Sequence, residues 1–188
     1  MANDKLVIGV AGMPGSGKSL VMSVAVESGY DVVVMGDVVR EEAKKRGLEP
    51  TPVNIGKVML ELRQAEGDSV IAKRCIPQTA KAKTQKVFVD GIRSLSEVEE
   101  FRKNFSQFTL IAVHSSPETR FKRLYHRQRS DDPANWKIFN ERDKRELGVG
   151  LGNAIAMAEY MIINEEDFQT AKRKAKENLK KAEEKWKK

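Results

Sequence analysis

The stretch GMPGSGKS, Gly12 to Ser19, joins a glycine-rich turn to a lysine and a hydroxyl. It fits the spacing G-x-x-x-x-G-K-[ST], follows the apolar run KLVIGVA and opens a helical pattern, which is the context a phosphate cradle requires. Glycines let the backbone curl so that successive N–H groups of Gly12, Met13, Pro14, Gly15, Ser16 and Gly17 (proline excepted, having none) point inward at anionic oxygens, with a helix N-terminus behind them. Lys18 is expected to reach the β- and γ-phosphates of ATP, and the Ser19 hydroxyl to join the shell of a Mg²⁺ ion. Asp90 closes the run VFVD and is the expected second Mg²⁺ contact, through water, because that strand should lie beside the first.

Such a loop serves kinases, switches and motors alike. A kinase needs two additions, an acceptor site and a cover that excludes water. In GDVVRE, Asp37 and Arg40 are three apart and share a helix face; Arg40 could bind an acceptor phosphate bidentately and Asp37 could orient or deprotonate an acceptor hydroxyl. In DGIR, Arg93 follows the third strand as a second candidate anion clamp. The spacing fits equally well an N-cap Asp37 and two surface arginines. Farther on, Arg120, Arg123 and Arg127 keep the 3-4 spacing of one helical face, with Arg129 just beyond and Arg142 and Arg145 downstream. Phosphoryl transfer spreads negative charge over equatorial oxygens, and arginines folded over them would stabilise it. The competing reading is a basic exposed helix. Lys18, Asp37, Arg123, Arg127 and Arg129 form the candidate catalytic set; Asp37, Arg40 and Arg93 form the candidate acceptor set.

The elements that must position these residues are legible as alternating patterns. Five apolar, β-branched runs (5–11, 31–36, 86–91, 108–115 and 160–165) suit strands buried on both faces. Helices lie between them: one opening in the glycine loop and ending at Gly29, one over 54–67 capped by Asn54, one with Ser94 and Glu97 as a capping box, and one with Ser116 as cap and Pro117 at its first position. The punctuation from Asp131 to about Gly152 predicts a mobile segment. The pattern predicts an α/β fold, a three-layer doubly wound sandwich with a five-stranded parallel sheet, a short helical lid and a C-terminal helix. Residues 1–188 are expected to form one domain, with an acceptor-binding helical segment at 37–85, a lid region at 117–152 and a basic C-terminal helix at 165–188.

Composition narrows the setting. At 188 residues the chain can bury a full core, and its single cysteine, Cys75, excludes an internal disulfide framework and suits a reducing, cytoplasmic location. No apolar run approaches the roughly 20 residues of a membrane span, so no membrane partner is expected. Of the net charge of +7, a surplus of six lies in AKRKAKENLKKAEEKWKK, residues 171–188. The basicity therefore belongs to a tail, which reads first as a solvated helix; nucleic acid is a candidate partner through it but not the favoured one. No signature of an oligomeric state is present.

With these residues in hand, the chain resembles P-loop nucleotide kinases, and most closely an archaeal family of predicted kinases distantly related to adenylate kinases and dephospho-coenzyme A kinases. The likeness runs from about Lys5 to Asn164. GDVVR resembles the adenylate-kinase segment whose arginine holds the acceptor phosphate, implying that role for Arg40. DGIR resembles DG-[FY]-P-R without its proline, implying acceptor contact for Arg93. RLYHR and RSDD resemble the lid motifs R-[IL]-x-x-R and R-x-D-D, implying transition-state roles for Arg123 and Arg127 and a lid role for Arg129, with Arg142 as the arginine that follows. AEYMIIN instead resembles the A-D-x-x-I-x-N stretch of dephospho-coenzyme A kinases near the donor base, with Glu159 where Asp is usual; those enzymes also place an aspartate at the position of Asp37, as a base toward a ribose hydroxyl. The expectation is a kinase using ATP and Mg²⁺ on a small phosphate-bearing acceptor, a nucleotide or a dephospho-coenzyme A-like metabolite. The alternative is a P-loop NTPase switch or assembly factor acting with RNA; no N-K-x-D signature of a GTPase is present.

Overall fold

The computed structural model describes residues 3–128 and 132–187. Its centre is a five-stranded sheet in the order β2-β3-β1-β4-β5, formed by β1 (Asn3–Ala11), β2 (Asp31–Val34), β3 (Lys86–Ile92), β4 (Phe105–His114) and β5 (Tyr160–Ile163). Every pairing is parallel. This is the expected doubly wound α/β sandwich. The strand order reverses direction at β1, so the crevice beyond the carboxyl ends of β1, β3 and β4 is where such a sheet takes ligands.

Alternation along the strands sorts the core into two layers. Val7 and Ala11 of β1 join Val87, Val89 and Leu110 on the face covered by α2 (Met35–Lys45), α3 (Pro52–Glu66), α4 (Val70–Ala80), α5 (Leu95–Asn104) and α8 (Leu151–Ala156). Ile8 and Val10 join Phe88, Ile111 and Val113 on the face covered by α1 (Lys18–Glu27) and α9 (Phe168–Glu184). Two further helices, α6 (Pro117–Arg127) and α7 (Trp136–Gly148), lie beyond the strand ends. Cys75 is fully buried as a packing residue. No described helix is long and apolar enough to cross a membrane.

Several boundaries differ from the sequence expectation, each for a local reason. Strand β2 stops at Val34 and α2 begins at Met35 with no loop between, which puts Asp37 in the first helical turn instead of at the N-cap. Helix α3 starts at Pro52, capped by the Thr51 side chain accepting from Asn54 N–H, because proline suits the first helical position. Ser94 caps α5 as expected, but the Glu97 carboxylate reaches past it to accept from Arg93 N–H at 2.7 Å. The stretch from 132 to 152 is largely helical: Phe139 and Leu151 are buried, and Phe139 packs with Phe121 and Trp136 between α6 and α7. The basic tail is amphipathic, with Ala171, Ala175, Leu179 and Ala182 of α9 buried.

Candidate active site

The glycine loop emerges from β1 and turns into α1 with Gly15 at φ 81° and Gly17 at φ 98°, conformations that side chains rarely adopt. A Cβ on Gly15 would also lie 2.8 Å from the Arg120 carbonyl, and one on Gly17 would collide with the Asn164 amide. The loop is thus walled on its outer side by α6 and by the end of β5. Asn164 donates to the Ser16 carbonyl at 2.8 Å, and Ser115 Oγ donates to the Asn164 carbonyl at 2.5 Å and to the Ser16 carbonyl at 3.2 Å.

Lys18 is half-buried and folds its ammonium onto the loop, donating to the Gly12 carbonyl at 2.6 Å and the Met13 carbonyl at 3.3 Å. Burial lowers the pKa of this ammonium to about 8, against the opposing pull of Asp90; Arg93 pushes the same way as burial. Asp90 is partnered in β-sheet register with Val10 of β1 and Val34 of β2, and Gly91 follows at φ 100°. Burial holds the Asp90 carboxyl above the usual carboxylate range, opposed by Lys18, Arg93 and Arg40. Lys18, Asp90, Arg93, Arg40 and Asp37 are therefore neighbours at the carboxyl ends of β1, β2 and β3, close enough to act on one another's charge.

The residues present fit ATP and Mg²⁺. Ser16 Oγ and Asp90 Oδ1 are buried polar atoms without a hydrogen-bond partner among the described residues, one in the loop and one facing it. Such groups are costly unless something completes them. Ser19, the second residue of α1, is exposed at the loop's mouth. Among the described residues no cluster of three or more His, Cys, Asp or Glu could hold a metal alone, so the donor set of one hydroxyl and one carboxylate suits an ion that arrives on phosphate oxygens.

The other expected residues divide into two groups. Asp37 and Arg40 bind one another, both side chains about half exposed. Arg93 lies 3.5 Å from the Glu146 carboxylate of α7, and Arg127 pairs with Asp132 at 2.9 Å and 2.5 Å. Arg123, in contrast, donates to neutral oxygens, Ser115 Oγ at 2.9 Å and the Asn164 carbonyl at 3.0 Å, and its guanidinium stands near Gly17. Arg129 lies outside the described residues.

Glu146 and Phe168 carried no distinct signal in the sequence, and the spacing that grouped Arg120 with Arg123 and Arg127 did not disclose its role. Arg120 turns inward: it donates to the Ser115 carbonyl at 3.1 Å, to the Pro14 carbonyl at 3.2 Å, and to both oxygens of Asp143. Glu146 reaches the cleft from α7. Phe168, the first residue of α9, is 63% exposed. It lines a pocket of about 310 Å³ with Gly17, Leu20, Arg123, Asn164, Glu166 and Ala171, directly beside the loop. Glu159 does not reach this region: it accepts from Leu110 N–H and Arg102 at the far end of β5.

Fold and site together define a P-loop protein of the nucleotide-binding, kinase-like α/β class. The chain belongs to the UPF0200 family, and its residues 11–138 match the family model of the AAA domain. It is 48% identical over 175 residues to a UPF0200 protein of Hyperthermus butylicus, covering 93% of this chain and 94% of that one. It is 50% identical over 166 residues to a UPF0200 protein of Methanocaldococcus jannaschii, covering 87% and 84%. Among solved structures, it is similar to a gluconokinase from Sinorhizobium meliloti (TM-score 0.60, 16% identity, 98% of this chain and 97% of that one). It is equally similar to the shikimate kinase of Acinetobacter baumannii in complex with shikimate (TM-score 0.60, 14% identity, 98% and 96%). At that identity the likeness shows the shared fold.

Proposed function

We propose that this protein is a Mg²⁺-dependent kinase that transfers the γ-phosphate of ATP to a small phosphate-bearing acceptor, a nucleotide or a dephospho-coenzyme A-like metabolite. One observation carries the reading: Asp90 stands in register with the ends of β1 and β2, which sets Lys18 of the loop beside Asp37 and Arg40 of α2 and Arg93 just past β3, so cationic groups for two anions instead of one gather at the strand ends. Two of the solved structures with this fold are named as kinases, which supports transfer to a small molecule.

On the donor side, the N–H groups of the loop and of the first turn of α1 would bind the phosphates, Lys18 would leave its carbonyl contacts for the β- and γ-oxygens, and Arg123 would hold the nucleotide from above. The pocket lined by Leu20, Arg123, Phe168 and Ala171 has the position and size to take the base. Ser19 and, through water, Asp90 would hold a Mg²⁺ ion, which would supply charge neutralisation to the phosphates. On the acceptor side, Arg40 and Arg93 would bind the acceptor's phosphate and Asp37 would orient its nucleophilic oxygen, accepting the proton where that oxygen is a hydroxyl. The P–O bond to the γ-phosphorus forms as the β–γ bridging bond breaks, leaving ADP. Arg127 and Arg129 would cover the transferring group, with 117–152 as lid, 37–85 as acceptor segment and 165–188 as flanking helix of one domain. A cytoplasmic location belongs to the same proposal.

The test is ADP formation from ATP and Mg²⁺ across nucleoside monophosphates and dephospho-coenzyme A. A rate that rises many-fold with one acceptor, with a phosphorylated product, supports transfer. ADP forming at the same rate with and without every acceptor would replace the kinase by an NTPase.

A further inference from the structure

The arginines around the cleft differ in what they hold. Arg123 donates to uncharged oxygens. Arg93 faces a carboxylate from a different element, the Glu146 side chain of α7, 53 residues on in sequence by their numbers. Glu146 is only 15% exposed, its carboxylate stands 3.5 Å from Arg93, and it is near enough to Lys18 to act on that ammonium's charge. Its helix is fixed there independently, because Asp143 one turn earlier is clamped by Arg120. The Arg93 backbone is fixed as well, its N–H held by Glu97, which is itself paired with Arg63.

We infer that Glu146 is a specificity-determining residue of the acceptor site: its carboxylate occupies Arg93 until the acceptor's anion displaces it, which selects phosphate dianions over carboxylates. This rests on the reading of Arg93 as an acceptor-binding group. A carboxylate arriving at Arg93 exchanges one monoanion for another and gains nothing in charge. A phosphate dianion brings a second charge and three oxygens, so it can bind Arg93 in the bidentate geometry that the 3.5 Å contact with Glu146 does not achieve. The contact is also weak enough to yield, since the Arg93 side chain is 38% exposed; partly exposed pairs of this kind contribute little. Specificity therefore comes from a resident competitor as well as from the attractive arginine.

The test is isothermal titration of inorganic phosphate and of acetate, at pH 8, into protein whose donor site is filled with a non-hydrolysable ATP analogue and Mg²⁺. For the native protein, phosphate should bind and acetate should bind far more weakly. In Glu146→Gln, phosphate affinity should rise about five-fold, acetate should gain at least as much, and the gain should vanish when Arg93→Ala is added. Arg93→Ala alone should weaken phosphate about ten-fold. Loss of phosphate binding in Arg93→Ala together with unchanged or weaker binding in Glu146→Gln overturns the competitor role while leaving the acceptor site standing. Phosphate binding unaffected by Arg93→Ala, or absent from both the native protein and Glu146→Gln, overturns the acceptor reading and the inference together.

Discussion

The Arg120 guanidinium forms a two-pronged ion pair with Asp143, at 2.9 Å and 2.6 Å, while a further N–H reaches the Pro14 carbonyl at 3.2 Å. One buried cation thus fastens α7 to the phosphate loop, and the Phe139 ring packs 4.9 Å from the same guanidinium. Removing one partner of such a pair leaves a charge without compensation. Asp143→Ala should therefore cost about 3 kcal/mol in urea unfolding. The same change should weaken ATP, because the Arg120 main chain is the wall against which Gly15 turns. Stability unchanged within about 0.5 kcal/mol would show that the pair is solvent-screened and that α7 is held by its aromatic contacts alone.

Lys18 makes the site's affinity depend on pH. Its ammonium is lowered to about 8, first by burial, so in the free protein the charge is present below that pH and is lost above it. ATP needs the charged form. Affinity for an ATP analogue should fall as pH rises through 8, approaching ten-fold per unit above it as each unit removes nine-tenths of the remaining ammonium. Asp90 is the largest influence raising Lys18, so Asp90→Asn should move the onset of this fall below pH 8 and remove the gain in affinity that Mg²⁺ provides. Lys18→Arg, which does not titrate in this range, should flatten the profile. A flat profile in the native protein would show that Lys18 is already charged throughout.

Phe168 offers a separate handle on the donor. A phenylalanine 63% exposed at the rim of a pocket beside the loop is a stacking surface in search of a planar partner. Stacking of a base on an aromatic ring contributes about 1–3 kcal/mol. Phe168→Ala should weaken ATP by roughly ten-fold while leaving inorganic tripolyphosphate, which has phosphates but no base, unchanged. Equal losses for both ligands would mean that the substitution disturbs the loop through the start of α9, and equal native affinities for both would show that no base is bound there.

What the chain disclosed in advance depends on how far apart the cooperating groups lie in sequence. The loop, the strands and the caps at Ser94 and Ser116 were legible because each is decided within a few residues: a run of Val and Ile, a hydroxyl three before an N–H, a proline at the first turn. The pairing of Arg120 with Asp143, 23 apart, was not, and neither was the arrival of Glu146 at Arg93. Spacing put Arg120 on the same face as Arg123 and Arg127; only packing of α6 against α7 turned it inward. The segment from 132 to 152 shows the same limit. Its Asp, Gly and Asn residues predict a mobile segment without marking where its helices begin; Asn135 serves as the cap of α7 and Gly150 as the turn into α8, with Phe139 and Leu151 supplying the burial that holds both helices.

The basic tail separates the kinase reading from its RNA-directed rival. Helix α9 buries Ala171, Ala175, Leu179 and Ala182 against α1 and the sheet. Tyr30 donates to Glu183 at 2.9 Å, and Trp186 Nε1 donates to Thr109 Oγ1 at 2.8 Å. Deleting the helix would strip one layer from the sheet, so removal of residues 168–188 should yield protein that does not fold, and its inactivity would say nothing about RNA. Charge reversal on the outer face is the informative change. Arg173 and Lys180 point outward and pair with Glu177 and Glu184 of the same helix, contacts that contribute a few tenths of a kcal/mol. Arg173→Glu with Lys180→Glu should leave melting and acceptor phosphorylation within two-fold of the native protein. A kinase rate that holds while RNA affinity falls would assign the tail a second role, whereas ATP turnover that depends on RNA and collapses in this variant would establish the switch and displace the kinase.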